Sequence, residues 1–359
     1  MAVLIKPPVA AASPHSQPCK HWGDAIILTL LLALPMAAFA ATGWCSWFPW
    51  LCSGCGAPLT EVTSFGSNPG DLRMCKYQPA HLAASRPLVV ALHGCTQQAS
   101  DYADATGWIK FADKYRFALL LPQQQPANNL SQCFNWFERA NNERGKGEAL
   151  SIQQMIDKIK VDAGIDPQKI YVTGLSAGGG MTAVMLATYP ELFAGGAIIA
   201  GVPYKCANDA TEALSHCGVS IAGQITPMKD LTPSQWGSLV RKASSYAGTF
   251  PRVSIWQGAA DTTVNPDDQR ELVDQWTNVL GIDQNPDVED TLNGQPHKLY
   301  KDGNGRVLVE TVLVRGMGHG TPIDPGKADN QCGKAAPYIL DVGICSSFYI
   351  IKFWGLDAL

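Results

Sequence analysis

The sequence Ile170-Tyr171-Val172-Thr173-Gly174-Leu175-Ser176-Ala177-Gly178 decides how the rest of the chain is interpreted. Its first four residues predict a buried strand, and an apolar helix is expected from Gly179 onward. The last five residues have the spacing Gly-x-Ser-x-Gly, which between a strand and a helix forms the sharp turn called a nucleophile elbow. Glycine is required on both sides of Ser176 because larger side chains would collide with the strand and the helix. We therefore expect the Ser176 hydroxyl to be exposed above the sheet edge. The alternative is a glycine-rich turn whose serine has no chemical role.

Composition places the chain among globular proteins. Of its 359 residues, 46% are hydrophobic and 16% are charged, and the net charge is −4. This composition is sufficient for a large core. A net charge this close to zero gives no sign of the basic surface that binds nucleic acid or an anionic membrane, so we expect neither as a partner.

Residues 1–40 have the pattern of a signal peptide. Lys20 and His21 precede an apolar run at 25–34, and Ala38-Phe39-Ala40 offers the small residues that a signal peptidase recognises. We expect cleavage after Ala40, a protein secreted outside the cell or into the periplasm, and no stable membrane association. The alternative is an uncleaved anchor, which needs roughly 20 apolar residues, more than this run provides.

The cysteines predict disulfide bonds. The chain has eleven, of which one lies in the leader, and an even number in an exported protein favours bridges. We expect residues 41–75 to form a cystine-rich N-terminal segment, in which the pairing of Cys45, Cys52, Cys55 and Cys75 stays open. The alternative for Cys52-x-x-Cys55 is a zinc or redox site, but no second such pair follows at metal-ligand spacing, so we expect no metal. Two local pairs are expected further on, Cys206–Cys217 and Cys332–Cys345.

The remaining pattern predicts one α/β domain over residues 41–359. Apolar runs without alternation, separated by helices, indicate a parallel sheet that is covered on both faces. This predicts a doubly wound, mostly parallel architecture. The segment 206–246 is expected to form a partial lid or a side of the cleft, and 283–297 a surface insertion. Strands are predicted at 87–92, 117–121, 170–173, 194–202, 253–257 and 307–314, and helices at 101–115, 149–163 and 346–354.

An oxyanion hole is predicted from residues on both sides of the elbow. His93-Gly94-Cys95 directly follows the strand 87–92, and the backbone N–H of Cys95 is the expected first donor, with that of Ala177 as the second. Because His93 precedes the serine, we expect it to orient this loop and contact the substrate rather than act as the base. Trp136 is expected on the wall of the cleft. Cys95 is expected to be bonded to Cys133, the alternative being two buried free thiols.

An acid and a base follow the serine in the order that an α/β-hydrolase requires. Asp261 lies in a turn directly after the strand 253–257, where a carboxylate can orient a histidine. The nearby Asp267 and Asp268 are better explained as carboxylates at a helix start. His319 lies between glycines on a loop after the last strand, which favours it as the base. His81, His216 and His297 are expected to be surface or core residues.

Together these motifs resemble the catalytic domain of short-chain polyhydroxyalkanoate depolymerases, the poly(3-hydroxybutyrate) depolymerase esterases. The resemblance extends over nearly all of the chain after the leader. It implies the α/β-hydrolase fold, ester hydrolysis and a triad of Ser176, Asp261 and His319. The matching stretches are 65–70, 92–97, 133–137, 174–179, 258–266 and 316–321, together with the tail at Cys332 and 343–347.

The expected function is therefore that of a secreted serine esterase that cleaves polyhydroxyalkanoate or its oligomers through an acyl-enzyme, without a cofactor. Feruloyl and acetylxylan esterases share most of these motifs, so an esterase of plant cell-wall esters is the alternative. A non-catalytic polymer-binding protein on the same scaffold is a third alternative, but the complete set of Ser176, Asp261 and His319 argues against it.

Overall fold

The strand that ends at Ser176 lies in the middle of a large twisted sheet. The structure, a computed structural model, describes residues 55–221 and 223–358. Chain contacts separate residues 1–52 from 53–359, and all described residues belong to the second unit. The predicted signal peptide at 1–40, and the pairing of Cys45 and Cys52, lie outside the described residues.

Fourteen strands and eight α-helices occur in this described part of the chain. The strands are β1 (Thr60–Val62), β2 (Arg73–Tyr77), β3 (Arg86–Leu92), β4 (Ala118–Gln123), β5 (Ile165–Leu175), β6 (Gly195–Ile199), β7 (Ser220–Ile221), β8 (Gln224–Ile225), β9 (Arg252–Gly258), β10 (Val288–Leu292), β11 (Gln295–Lys301), β12 (Val307–Val314), β13 (Thr321–Ile323) and β14 (Ile339–Asp341). The helices are α1 (Ala99–Ala105), α2 (Trp108–Tyr115), α3 (Gly147–Ala163), α4 (Ala177–Thr188), α5 (Ala210–His216), α6 (Pro233–Arg241), α7 (Asp268–Leu280) and α8 (Ser346–Trp354).

Ten strands form one sheet in the order β1-β2-β4-β3-β5-β6-β9-β12-β11-β10. The six central strands, from β4 to β12 in this order, are parallel, and antiparallel strands extend both edges. The predicted doubly wound, mostly parallel α/β fold is therefore confirmed. Because the carboxyl ends of parallel strands meet at one edge, the loops after β3, β5, β9 and β12 converge there.

Helices cover both faces of this sheet. Along β3, Leu88, Val90 and Leu92 pack in the layer with α3, α4 and α7, whereas Val89 and Ala91 pack in the opposite layer with α1, α2 and α8. This explains why the strand is apolar along its whole length. None of the helices in residues 55–221 and 223–358 combines the length and the apolar character needed to cross a bilayer.

Three local predictions are wrong. The helix expected at 101–115 is two helices, because Gly107 adopts a left-handed conformation with φ of 81° between them. The strand expected to end at residue 121 continues through Pro122 and ends at Gln123. On the β3 side the ladder ends at Leu120, so Pro122 needs no N–H there, and on the other side it is paired with Met74 of β2 near the end of that ladder. The surface insertion expected at 283–297 instead contains β10 and the start of β11, which extend the sheet as a hairpin.

Candidate active site

Ser176 lies on a strained turn between β5 and α4. Its φ is 57°, a left-handed value that is uncommon for a residue with a side chain. Its N–H donates to Ile199 O at 2.9 Å, which fixes the turn to the next strand. A Cβ on Gly174 would collide with the backbone of Gly178, and a Cβ on Gly178 would lie 2.6 Å from His93 O. The two glycines are therefore needed for close approach, as the sequence predicts.

A histidine and a carboxylate lie together at the same sheet edge. His319 Nδ1 is 2.8 Å from Asp261 Oδ2. The other carboxylate oxygen, Asp261 Oδ1, accepts the N–H groups of Thr263 at 2.8 Å and Val264 at 3.0 Å. Gln257 Nε2 also donates to Asp261 Oδ2, at 3.1 Å. Every partner of this buried carboxylate donates, so it acts as an acceptor that keeps the hydrogen of His319 on Nδ1 and leaves Nε2 for proton transfer.

The loop that carries His319 packs directly on the strand that leads to Asp261. A Cβ on Gly258 would lie 2.5 Å from Met317 O, so only glycine allows this approach. The N–H of Ala260 donates to the same carbonyl at 2.9 Å. These contacts fix the distance between the turn after β9 and the loop after β12. The structure thus brings together Asp261 and His319, and His319 lines one cavity with Ser176.

Two backbone N–H groups near Ser176 have the properties of an oxyanion hole. Within the described residues, the N–H groups of Cys95 and Ala177 have no hydrogen-bond acceptor, and both residues line a cavity with Ser176. The loop around Cys95 is held elsewhere: Gly94 N–H donates to Gln97 Oε1 at 2.8 Å, and Thr96 N–H to Ser131 O at 2.7 Å. Ala177 begins α4, whose N-terminus favours developing negative charge. Both N–H groups are therefore available to a substrate oxygen.

His93 does not face the cavity. Its ring is fully buried, with Nδ1 2.7 Å from Gly94 O, and its Nε2 accepts the N–H of Gln124 at 3.2 Å. Burial lowers the pKa of His93 to about 4, so the ring is neutral at physiological pH. The prediction that His93 contacts the substrate is wrong, because the side chain turns inward at the end of β3. Its hydrogen bonds fit the expectation that it orients the loop.

Two cavities meet at Ser176. The larger, of about 320 Å³, has mainly apolar walls, and the smaller, of about 230 Å³, contains more polar groups. Both are bordered by Ser176, Thr263 and the disulfide between Cys95 and Cys133. The apolar cavity is also lined by Trp136, Phe137, Ala177, Val202, Ala210, Ala213, Leu214, Val219, Ser220 and Val264. The polar cavity is also lined by Gly94, Thr96, Gln97, Ser131, Leu175, His319 and Tyr338.

The lid segment, residues 206–246, forms one wall of the apolar cavity. The disulfide between Cys206 and Cys217 closes α5 into a loop. The segment is also fixed to the turn that holds Asp261, since Ser220 N–H donates to Thr263 O at 2.8 Å. Trp136 also lines this cavity and packs on Gly180 of α4, where a Cβ would lie 2.8 Å from Trp136 Cγ. The segment and Trp136 thus line the same cavity, while their contact with substrate stays a prediction.

The other predicted residues lie away from the cavities. Asp267 and Asp268 are at the start of α7, where helix carboxylates were expected. His297 is held between Asp290 and Glu310 at 2.6 and 2.9 Å. Cys55 is bonded to Cys75, and Cys332 to Cys345. In the part of the chain that the structure describes, no group of three or more His, Cys, Asp or Glu side chains could hold a metal ion.

Tyr338 is a cavity residue that the sequence does not reveal. It is half exposed and has a φ of 62°, and its ring lies 5.9 Å from that of His319 in an edge-on arrangement. The turn is held by Gln97, whose Nε2 donates to Pro337 O at 3.0 Å. No motif predicts a left-handed tyrosine, so this residue could be found only from the fold.

Comparison with known proteins adds independent information. The family described as "Esterase PHB depolymerase" matches residues 72–281, which contain the elbow and the Asp261 turn. A poly(3-hydroxyalkanoate) depolymerase C from Paucimonas lemoignei is 54% identical over 299 residues, covering 83% of this chain and 70% of that protein. A feruloyl esterase B from Neurospora crassa is 36% identical over 296 residues, covering 80% of this chain and 93% of that protein. The solved acetyl xylan esterase from Aspergillus awamori has a TM-score of 0.66 and 27% identity, covering 83% of this chain and 99% of that structure.

Proposed function

Since the chain belongs to the Esterase PHB depolymerase family and is an esterase, we propose that it is a secreted serine esterase that hydrolyses short-chain polyhydroxyalkanoate or its oligomers. The observation that carries the proposal is the position of Ser176 where two cavities meet, beside His319 and two available N–H groups. An ester that lies across Ser176 extends into both cavities. The four disulfide bonds among the described residues support an oxidising compartment.

In the proposed reaction, Ser176 Oγ attacks the ester carbonyl while His319 Nε2 accepts its proton. Asp261 holds the imidazole in one tautomer and stabilises its charged form. The carbonyl oxygen becomes an oxyanion and accepts hydrogen bonds from the N–H groups of Cys95 and Ala177. His319 then returns the proton to the leaving alcohol, and a water activated by the same histidine hydrolyses the acyl-enzyme.

The linings of the two cavities support a short polyester chain as the substrate. The apolar cavity, between Trp136 and Leu214, accommodates the alkyl part of a hydroxyacyl unit. The polar cavity offers the hydroxyl of Ser131 as a hydrogen-bond donor to the carbonyl of an adjacent unit, whereas the side chains of Thr96 and Gln97 already donate to backbone carbonyls. We therefore assign the substrate as a chain of at least two ester-linked units.

Labelling with a fluorophosphonate probe tests the nucleophile. Wild-type protein should be labelled on Ser176 and should clear a suspension of poly(3-hydroxybutyrate), whereas Ser176→Ala should do neither and should lose several orders of magnitude in turnover. Full activity of Ser176→Ala would refute the mechanism. An unlabelled wild-type protein that still adsorbs to polymer would favour a non-catalytic binding protein.

N-terminal sequencing of the exported protein tests cleavage after Ala40.

A cell-wall esterase is the second candidate, favoured by the feruloyl and acetyl xylan esterases that this chain resembles. The chemistry at Ser176 is the same in both cases, so only the substrate distinguishes them. Release of hydroxybutyrate oligomers at a higher kcat/KM than that for methyl ferulate or acetylated xylan supports the first candidate. The opposite ranking supports the second.

A further inference from the structure

Glu148 is a buried carboxylate that the proposed reaction does not use. It lies in the first turn of α3 and is 1% exposed. Glu148 Oε1 accepts hydrogen bonds from Gln124 Nε2 at 2.6 Å and from Asn135 Nδ2 at 2.7 Å, and Oε2 accepts the Asn135 N–H at 2.8 Å. Burial raises the pKa of Glu148 to about 7, whereas these three donors favour the ionised form. Burying this group is costly, and its hydrogen bonds all go to a single stretch of chain, residues 124–135.

That stretch, the 124–135 loop, is joined to the residue that supplies the predicted oxyanion donor. Gln124 Nε2 also donates to Cys133 O at 3.1 Å, and Cys133 is bonded to Cys95. One residue beyond Cys95, the N–H of Thr96 donates to Ser131 O at 2.7 Å. The backbone at Cys95 is therefore held to the 124–135 loop by a covalent bond and by an adjacent hydrogen bond, so a shift of the loop moves the Cys95 N–H.

We propose that Glu148 is a positioning residue for the oxyanion hole: it fixes the 124–135 loop to α3, and the loop fixes the N–H of Cys95. The inference rests on the proposed function of Ser176. Glu148 does not line either of the cavities at Ser176. It acts only through the loop, which also carries Ser131 of the polar cavity. For a single-unit ester, which has no adjacent unit to contact Ser131, the effect should therefore be on the transition state rather than on substrate binding.

The donor pattern makes Glu148→Gln a sharp perturbation. The substitution keeps the size of the side chain but replaces one acceptor oxygen by an NH₂ group, which then faces an N–H donor. Gln124 cannot compensate by reversing its own amide, because its Oε1 accepts the N–H of Gln125 at 2.8 Å and Asn128 Nδ2 at 2.9 Å. At least one donor must therefore move away from residue 148, and the loop moves with it.

The experiment compares full-length wild type and Glu148→Gln with p-nitrophenyl butyrate, with active sites titrated by a fluorophosphonate. We expect kcat per titrated site to fall about 10- to 100-fold, with KM little changed. This fall is no larger than the one caused by removing a whole oxyanion donor. Asn135→Ala removes one of the same hydrogen bonds and should lower kcat by a smaller factor. Because both substitutions act through the same loop, their effects on kcat should not multiply. The kcat of the double variant should be close to that of Glu148→Gln alone and above the value that multiplying the two single losses would give.

Glu310→Gln is the matched control. Glu310 is also buried, and its carboxylate accepts a hydrogen bond from Ser254 Oγ at 2.6 Å and contacts His297, but it is not connected to the 124–135 loop. It should lower thermal stability without lowering kcat per titrated site. Three results would overturn the positioning role. The first is a wild-type kcat in both Glu148→Gln and Asn135→Ala, and the second is an increase in the KM of these variants with no change in kcat. The third is a loss of kcat in Glu310→Gln as large as that in Glu148→Gln. If Glu148→Gln does not fold, Asn135→Ala decides the question. Wild-type protein without Ser176-dependent hydrolysis would overturn both the positioning role and the proposed function.

Discussion

Replacing Gly178 by alanine separates local helix propensity from the packing of the candidate active site. Gly178 is the second residue of α4, and alanine is favoured over glycine in a helix by about 1 kcal/mol. A helix considered alone would therefore be stabilised. In the fold, however, the new Cβ would lie 2.6 Å from His93 O and closer still to Leu92 O.

The geometry gives the size of the effect. Real Cβ contacts below 3.0 Å essentially do not occur, so His93 O must retreat from 2.6 to at least 3.0 Å, a shift of about 0.4 Å or more. Both atoms are backbone carbonyls at the end of β3 and cannot rotate away. Overpacking of this kind costs about 1–3 kcal/mol, which exceeds or cancels the gain in helix propensity. The moving backbone carries Cys95, two residues after His93, and a misplacement approaching 1 Å costs about 100-fold in rate.

Steady-state hydrolysis of p-nitrophenyl butyrate and thermal unfolding test this prediction together. Gly178→Ala should lower kcat by about 10- to 100-fold and should not raise Tm. The matched control is Gly303→Ala in the turn between β11 and β12, where a Cβ meets no atom within 4 Å. It should keep wild-type kcat and Tm. A Gly178→Ala protein with wild-type kcat and a higher Tm would refute the argument from close packing.

Three further predictions concern single interactions. Asp261→Asn should lower kcat by roughly 10⁴-fold while leaving the fold intact, and Asp267→Asn should do much less; steady-state rates with the reverse ranking would identify Asp267 as the orienting acid. The Cys95→Ala/Cys133→Ala variant should lose roughly 2–4 kcal/mol of unfolding free energy and should have a lower kcat than wild type. Peptide mapping of the wild type without reductant should show Cys95 linked to Cys133, and alkylation of both thiols in the native protein would exclude the bond. Although burial lowers the pKa of His297, hydrogen bonds to two carboxylates outweigh it and raise the pKa above its ordinary 6.5. The stability that His297 adds is therefore complete below pH 6.5 and is lost as the pH rises through the folded-state pKa. The free energies of unfolding of wild type and His297→Asn, measured in urea, should therefore converge at higher pH. A difference that does not change with pH would contradict the assignment.

The sequence was most informative where chemistry restricts both residue type and position. The order of serine, acid and histidine after successive strands selected Ser176, Asp261 and His319, and the structure places them at one sheet edge because parallel strands end there. The need for glycine at Gly174 and Gly178 was equally predictable from the sequence, since the close approach of the backbone excludes every other residue. Their catalytic roles stay predictions until the variants are measured.

The sequence was least informative where side-chain direction or long-range pairing decides the outcome. His93 occupies a recognisable motif, but whether its ring points to the cavity or the core depends on the path of the chain after β3. The hairpin of β10 and β11 was missed although Asn293-Gly294 is a strong hairpin signal, because β10 is mostly exposed and polar and β11 is only partly buried, so neither strand has the apolar run of a core strand. Glu148 had no signal at all, since its partners come from residues that are distant along the chain and brought near only by the fold.

Substrate choice in this protein depends on different residues from those that perform the chemistry. If Ser176, Asp261 and His319 act as proposed, they attack any ester that reaches Ser176, so discrimination between a hydroxyacyl unit and an aromatic acyl group must come from the cavity walls. The apolar wall includes Trp136, together with Leu214 and Val219 of the lid segment. The lid segment is fixed to the turn of Asp261 through Ser220, so the wall cannot move without affecting the acid. Apolar contacts of this kind discriminate by only about 10- to 200-fold per methylene-sized difference, which explains how enzymes with different ester substrates can share one set of motifs. We therefore expect substitutions of Trp136, Leu214 and Val219 to change the ranking of the two candidate substrate classes more than the rate of the chemical step.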